Sequence, residues 1–271
     1  MIALPFTMRP DSMSTTRRLI SVASGKGGVG KTWLAITLAH ALARMGGRVL
    51  LFDGDLGLAN VDVQIGLKPT RDLGSVLSGR LPLKAAIFAA GDCGFDLVAG
   101  PSGSGSLALL PAARIQRLTD DLMTLAANYD HTIVDIGAGL DRTVRLLAGG
   151  TDTCLVVTTD EPTALTDAYA FMKMMRSDGA ATEMGVVVNM AASERDGERT
   201  HATLAKACES FLRFTPPLFG LIRRDARVAK AIRAQTPFLT RHPTADAAAD
   251  IETLAGRLIT PRLMLHKAEA Q

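Results

Sequence analysis

Short aliphatic runs alternate along the chain with longer segments in which apolar residues recur every three or four positions. Seven runs predict strands over residues 19–24, 48–52, 95–98, 132–135, 154–158, 185–189 and 218–222. Four intervening segments predict helices over residues 33–45, 111–128, 166–176 and 200–213. This alternation indicates an α/β fold with one doubly wound, mostly parallel sheet of seven or eight strands and helices on both faces.

Length and composition favour one globular domain. The chain has 271 residues, of which 47% are hydrophobic and 21% charged, so it is neither disordered nor fibrous. We expect a flexible leader over residues 1–18, one domain over 19–258 and a tail over 259–271. The net charge of +3 permits an anionic partner without demanding one.

Cysteine spacing and apolar run length bear on location. Cys93, Cys154 and Cys208 lie far apart, which argues against a disulfide framework or a zinc site and fits a reducing cytoplasm. No apolar run reaches the roughly 20 residues of a membrane span without Gly or Pro. We therefore expect a cytoplasmic protein with buried cysteines.

The strongest chemical signal follows the first predicted strand. Residues 25–32 read Gly-Lys-Gly-Gly-Val-Gly-Lys-Thr, a phosphate-binding loop between a strand and a helix. Its glycines let backbone N–H groups face a phosphate, Lys31 adds positive charge, and the Thr32 hydroxyl is a ligand for Mg²⁺. We predict that ATP or ADP binds here with Mg²⁺ and contacts Gly27, Gly28, Val29, Gly30, Lys31, Thr32 and Trp33.

Carboxylates end two further strands. Asp53 and Asp55 follow the second strand, and Asp135 ends the fourth. Because the carboxyl ends of parallel strands meet at one edge of a sheet, these acids are expected beside the phosphate loop, with Asp135 contacting Mg²⁺ through water. Residues 136–139, Ile-Gly-Ala-Gly, form a turn suited to sensing a γ-phosphate, and His131 is predicted to lie on the surface.

Lys26 is a second lysine in the loop, at a position that ordinary phosphate loops do not require. Residues 26–32 resemble the deviant Walker A loop of the MinD/ParA class of ATPases. The resemblance implies that Lys26 reaches across an ATP-dependent homodimer to the partner's phosphates, that Asp55 orients the attacking water, and that Asp53 supports Mg²⁺. The predicted catalytic residues are Lys26, Lys31 and Asp55; the predicted metal-site residues are Thr32, Asp53 and Asp135.

Residues 55–63, 135–139, 158–170 and 187–190 sharpen this resemblance. They are similar to the FlhG family, also called FleN or YlxH, of MinD-like regulators of flagellar number and placement. The resemblance implies a slowly hydrolysing switch that acts through flagellar assembly or regulatory proteins and the inner membrane surface. It also implies that Asn189, Ile222 and Arg223 contact adenine.

The partner, the role of the tail and binding to DNA stay open from the sequence. The family's N-terminal motif for stimulating an FlhF-like GTPase is not found in residues 1–18, which argues against that partner, and Ile136 replaces the usual Thr or Ser. Residues 251–267 form either a basic amphipathic membrane-binding tail or a helix packed on the domain. The alternative function is a ParA-type positioning ATPase that binds DNA non-specifically through Arg213, Arg223, Arg224, Arg227, Lys230 and Arg233.

Overall fold

Eight strands form one sheet in the computed structural model, which describes residues 18–100 and 111–260. The strands are β1 Arg18–Ser24, β2 Val49–Gly54, β3 Ile87–Ala89, β4 Asp96–Val98, β5 His131–Ala138, β6 Thr153–Thr158, β7 Glu183–Ala191 and β8 Leu218–Arg223. Their order is β3-β4-β2-β5-β1-β6-β7-β8. Neighbouring strands are parallel except β3 and β4, which are antiparallel. The predicted α/β sheet is confirmed.

The described residues contain ten α-helices. They are α1 Lys31–Arg44, α2 Val61–Ile65, α3 Leu73–Leu77, α4 Ala112–Ala126, α5 Arg142–Gly149, α6 Pro162–Ser177, α7 Glu194–Leu212, α8 Ala226–Arg233, α9 Phe238–Arg241 and α10 Asp246–Ile259. Three of them, α1, α6 and α7, begin earlier than predicted. Pro162 occupies the first turn of α6, and the Ser193 hydroxyl caps α7 by accepting from the Asp196 N–H at 3.2 Å.

Apolar side chains fill both sides of the sheet. In β1, Ile20 and Val22 face the layer that holds α1 and α10, whereas Leu19 and Ala23 face the layer that holds α4 to α7. This alternation follows from the two-residue period of a strand. In α10, Ile251, Leu254 and Leu258 are fully buried, so this stripe packs on the domain. Residues 261–271 of the predicted tail lie outside the described residues.

Three expectations need correction or extension. β3 was not predicted, because a strand of three residues carries too little pattern. β1 begins at Arg18, which was assigned to the leader; leader residues 1–17 lie outside the described residues. His131 is 3% exposed rather than on the surface, because it begins the central strand β5 and packs against Gly47. The three cysteines are buried, as expected.

Candidate functional site

The carboxyl ends of three central strands bring the predicted phosphate and metal residues together. β5 lies between β1 and β2, and Asp53 and Asp135 are paired in register across β2 and β5. The phosphate loop connects β1 to α1, so Lys31 and Thr32 begin a helix at the same edge. Four residues predicted from three separate sequence segments therefore meet at one place.

The phosphate loop turns through backbone conformations that suit glycine. Gly28 and Gly30 have φ angles of +82° and +88°, which side chains rarely adopt. Asn189 Nδ2 donates a 2.8 Å hydrogen bond to the Val29 carbonyl oxygen, which ties β7 to the loop. The amino end of the 14-residue helix α1 follows the loop, and such an end favours an anion.

Two buried carboxylates give the site its electrostatic character. Burial, and next the nearby Asp53, raises the pKa of Asp135 to about 8, although a hydrogen bond from Thr32 opposes this rise. Burial raises the pKa of Asp53 to about 7, against hydrogen bonds from the Val61 and Asp55 N–H groups. Burial is the main cause of both rises, so a nearby cation would favour the ionised form of both acids.

Lys31 supplies positive charge beside Asp135. It is 9% exposed. Burial lowers its pKa, while Asp135 and Asp55 act in the opposite direction. A lysine held between a loop of backbone N–H groups and two acids is suited to contact both phosphate oxygens and the metal site.

The residues at this edge fit Mg²⁺ bound together with a nucleotide. Asp135 Oδ1 is buried and has no hydrogen-bond partner in residues 18–100 and 111–260. The same residues contain no group of three or more His, Cys, Asp or Glu side chains that would hold a metal alone. Mg²⁺ usually takes one or two carboxylates and completes its shell with phosphate oxygens and water. Asp53, Asp135 and Thr32 would supply the protein's part.

Asp55 follows β2 directly and lies beside the end of β5. The prediction of a turn over residues 136–139 is wrong for residues 136–138, because they continue the pairing of β5 with its neighbours; of the four, Gly139 alone follows the strand. Asp55 Oδ1 accepts hydrogen bonds from the Gly57 and Leu58 N–H groups at 3.1 and 2.9 Å. A Cβ atom at Gly137 would stand 3.2 Å from the same oxygen. A side chain at position 137 would therefore press on Asp55, the predicted water-orienting acid, whereas glycine leaves it room.

Lys26 is bound within its own chain. Its Nζ donates to Glu161 Oε2 at 2.6 Å and to Thr163 Oγ1 at 2.8 Å, at the start of α6. The hydrogen bond and charge of Lys26 hold the pKa of Glu161 below its usual value. Thr163 was not singled out from the sequence, because a separation of 137 residues leaves no local signal.

The side chains predicted around adenine have other partners in this chain. Ile222 is fully buried in the apolar layer with α1 and α10. The Arg223 guanidinium binds the Asp250 carboxylate, with Nη2 2.7 Å from Oδ1. The Trp33 ring packs edge-on against Phe238 at a centroid distance of 5.3 Å. Adenine contacts by Asn189, Ile222 and Arg223 stay a prediction, as does the contact of Trp33 with the nucleotide. Because the side chains of Ile222 and Trp33 are buried against other residues, their predicted contacts fall on the backbone.

Comparison with known proteins decides the family. The family model described as the CobQ/CobB/MinD/ParA nucleotide binding domain matches residues 20–238. The chain belongs to this MinD/ParA family. Among curated relatives of this MinD/ParA protein, the antiactivator FleN of Pseudomonas aeruginosa is 36% identical over 241 residues, covering 89% of this chain and 86% of FleN. The flagellum site-determining protein YlxH of Helicobacter pylori is 30% identical, covering 90% and 82%.

Solved MinD structures share the fold. The cell division ATPase MinD of Pyrococcus furiosus superposes with a TM-score of 0.75 at 25% identity, covering 90% of this chain and 98% of that one. MinD of Pyrococcus horikoshii, complexed with Mg-ADP, gives 0.74 at 26% identity, covering 93% and 99%. The predicted MinD-like architecture and the resemblance to the FlhG family are thus confirmed for this MinD/ParA chain.

Surface features bear on the membrane and DNA expectations. Within the described ranges, no helix combines the length and apolarity needed to cross a bilayer. Of the six cations considered for DNA, Arg223 is paired with Asp250 and Arg227 with Asp225 at 2.7 Å. These two cations are partly neutralised, which weakens the basic surface of this MinD/ParA protein.

Proposed function

We propose that this protein is an ATP-hydrolysing dimerisation switch that controls the number or placement of flagella. The observation that carries the proposal is the buried pair Asp53 and Asp135 beside Lys31 and Thr32 of the phosphate loop. Similarity to FleN and YlxH over most of the chain supports the flagellar role.

Each predicted residue has a defined task in this proposal. Backbone N–H groups of residues 27–32 and the Lys31 ammonium bind the phosphates. Mg²⁺, when bound, neutralises phosphate charge that develops during transfer to water. Asp55 orients that water, and Lys26 of a second copy adds positive charge from the other side.

Exposed apolar residues around the site support a dimer. Leu58 lies three residues after Asp55 and is 78% exposed, Val63 on α2 is 57% exposed, and Leu140 shortly after β5 is 37% exposed. Covering exposed apolar side chains removes them from water and favours association. A second copy facing the nucleotide edge would cover these side chains and bring its Lys26 to the site.

A separate aromatic surface supports contact with flagellar assembly or regulatory proteins. Phe211 on α7 is 77% exposed and lies edge-on to Tyr169 of α6, with ring centroids 6.5 Å apart. Aromatic and arginine side chains are enriched in protein interfaces, and Arg176 lies over the neighbouring Phe214 ring at 5.1 Å. We place the protein in the cytoplasm and, through such partners or its tail, at the cytoplasmic membrane face.

Substitution of Asp55 tests the switch. Asp55→Asn keeps an oxygen that can accept from Gly57 and Leu58 but removes the charge that would orient water. We expect ATP turnover to fall at least about tenfold, while ATP and Mg²⁺ still produce a dimer on size exclusion. Asp62→Asn in the first turn of α2 is the matched control and should turn over normally.

Two results would contradict the proposal. If the wild-type protein bound no ATP, the proposed nucleotide site would be wrong. If Asp55→Asn stayed monomeric with ATP, the proposed dimerisation switch would be wrong. Salt-sensitive binding of the ATP form to random duplex DNA, without binding to liposomes, would instead support the ParA-type function.

A further inference from the structure

Two complementary polar atoms are buried without a partner next to the phosphate loop. Trp33 follows Thr32 and is 6% exposed. Its Nε1, a donor, and Gln64 Oε1, an acceptor, have no hydrogen-bond partner in the part of the chain that the structure describes. Buried polar atoms are normally paired, so this donor and acceptor call for an explanation.

Both residues line one small cavity. It measures about 10 Å³ and lies between α1, α2, α8 and α9. A cavity of this size holds a single water molecule if polar partners surround it. The Thr37 and Thr236 hydroxyls also line the cavity and donate to the carbonyl oxygens of Trp33 and Ala234, so their oxygens can still accept.

The amide nitrogen of Gln64 is connected to the predicted metal site through hydrogen bonds. Gln64 Nε2 donates to Asn60 Oδ1 at 2.9 Å. The backbone N–H groups of Asn60 and Val61 donate to Asp53 Oδ2 at 3.2 and 3.1 Å. Gln64 therefore contacts Asn60, one of the two residues whose N–H groups bind the Asp53 carboxylate.

We propose that one internal water molecule bridges Trp33 Nε1 and Gln64 Oε1, and that Gln64 acts through it as a positioning residue for Asp53. The bridge joins the helix that carries Lys31 and Thr32 to the segment that orients Asp53. The water site stands on its own geometry, whereas its effect on Mg²⁺ rests on the proposed function.

Neighbouring residues contact both partners of the bridge or the helices that carry them. Phe238 fixes the Trp33 ring. Gln235 Nε2 donates to the Val63 carbonyl oxygen at 2.8 Å, which clamps α2 from the side of α8. Gln235 does not line the cavity, so it provides a matched control for Gln64.

Fluorescence of the nucleotide-free protein tests the bridge, because Trp33 is the single tryptophan. Gln64→Met keeps the side-chain length and removes the acceptor. We expect the emission maximum to move to shorter wavelength as the indole loses its hydrogen-bonded water, and Gln235→Met to leave emission unchanged. Unchanged emission in Gln64→Met would overturn the bridge, as would a high-resolution crystal structure with a dry cavity.

Magnesium titration of ATP binding tests the positioning role. In Gln64→Met we expect the Mg²⁺ concentration for half-maximal effect to rise about tenfold, with ATP binding in EDTA unchanged. Trp33→Phe should raise the half-maximal Mg²⁺ concentration by a similar factor, and the double variant should be no worse than either single one. If the double variant instead showed the product of the two single effects on the Mg²⁺ concentration, the positioning role would be overturned. If the wild type bound no ATP, the proposed function would fail while the fluorescence result still decided the water bridge.

Discussion

Lys26 Nζ lies 2.6 Å from Glu161 Oε2, so the lysine proposed to act on a partner's phosphates is held by its own chain. Thr163 supplies a second acceptor at 2.8 Å. In the proposed dimer Lys26 has to leave both oxygens before it reaches the other subunit. The pair therefore stabilises the monomer relative to the dimer, and dimer formation depends on how easily it opens.

Glu161→Gln should favour the ATP-dependent dimer. Removing the carboxylate charge weakens the hold on Lys26, and both side chains are too exposed for the change to affect folding much. We expect the dimer dissociation constant, measured by analytical ultracentrifugation with ATP, to fall about fivefold, the size of an exposed ion pair. Glu198→Gln on α7 removes the same charge elsewhere and should leave dimerisation unchanged. Weaker dimerisation in Glu161→Gln would show that the contact serves the dimer instead.

Gly30→Ala should abolish tight nucleotide binding. The residue has a φ of +88°, and its Cβ would lie 2.4 Å from Asn189 Nδ2, which is held on the Val29 carbonyl oxygen. Displacing Asn189 distorts the loop, so we expect ATP affinity by titration calorimetry to fall about tenfold or more. Gly79→Ala is the control, since it has a φ of +74° but open space around the Cβ. It should lower stability by about 1 kcal/mol and leave ATP affinity intact; an equal loss of affinity in both variants would contradict the argument.

Asp250→Ala should destabilise the packing of α10 without lowering ATP affinity. Its carboxylate accepts from the Arg223 N–H at 2.9 Å and from Nη2 at 2.7 Å. We expect a loss of about 1–3 kcal/mol in urea unfolding, because the Arg223 N–H loses its partner. Arg223→Gln should be destabilised in the same direction. A large fall in ATP affinity in Arg223→Gln alone would show that its side chain also contacts adenine.

His40 should make the fold less stable as the pH falls. It is 4% exposed in α1, and burial, followed by Arg44, lowers its pKa to about 4. Because the unfolded chain binds a proton near pH 6.5 and the folded chain does not, stability falls between pH 6.5 and 4. Between pH 7.5 and pH 5 we expect a loss of about 2 kcal/mol in urea unfolding from this residue.

Replacement of the histidine checks this pH effect. His40→Leu should show a smaller loss between the two pH values, and a substitution of the half-buried His201 should keep the full loss. An unchanged loss in His40→Leu would assign the pH dependence to other groups. Burial also lowers the pKa of His131, which acts in the same direction, whereas the raised pKa values of Asp53 and Asp135 act in the opposite direction. The contribution of His40 is therefore the difference in pH dependence between the wild type and His40→Leu.

The nucleotide chemistry could be predicted from the sequence because its elements are local. The phosphate loop is contiguous, and Asp53 and Asp135 each end a strand whose apolar run is visible in one dimension. The order of parallel strands then brings those ends together. The same holds for the sheet and the long helices, whose periods of two and 3.6 residues are independent of distant contacts.

Only the tertiary structure decided which side chains meet. Glu161 lies 135 residues from Lys26, and Asp250 lies 27 residues from Arg223, so neither pairing leaves a local pattern. The short β3 and the burial of His131 depend on neighbouring strands. Trp33 follows the motif directly, yet its ring faces Phe238 and Gln64, because the helix rotates successive side chains by about 100°. Sequence order thus determined the chemistry of the loop, and packing determined what each side chain contacts.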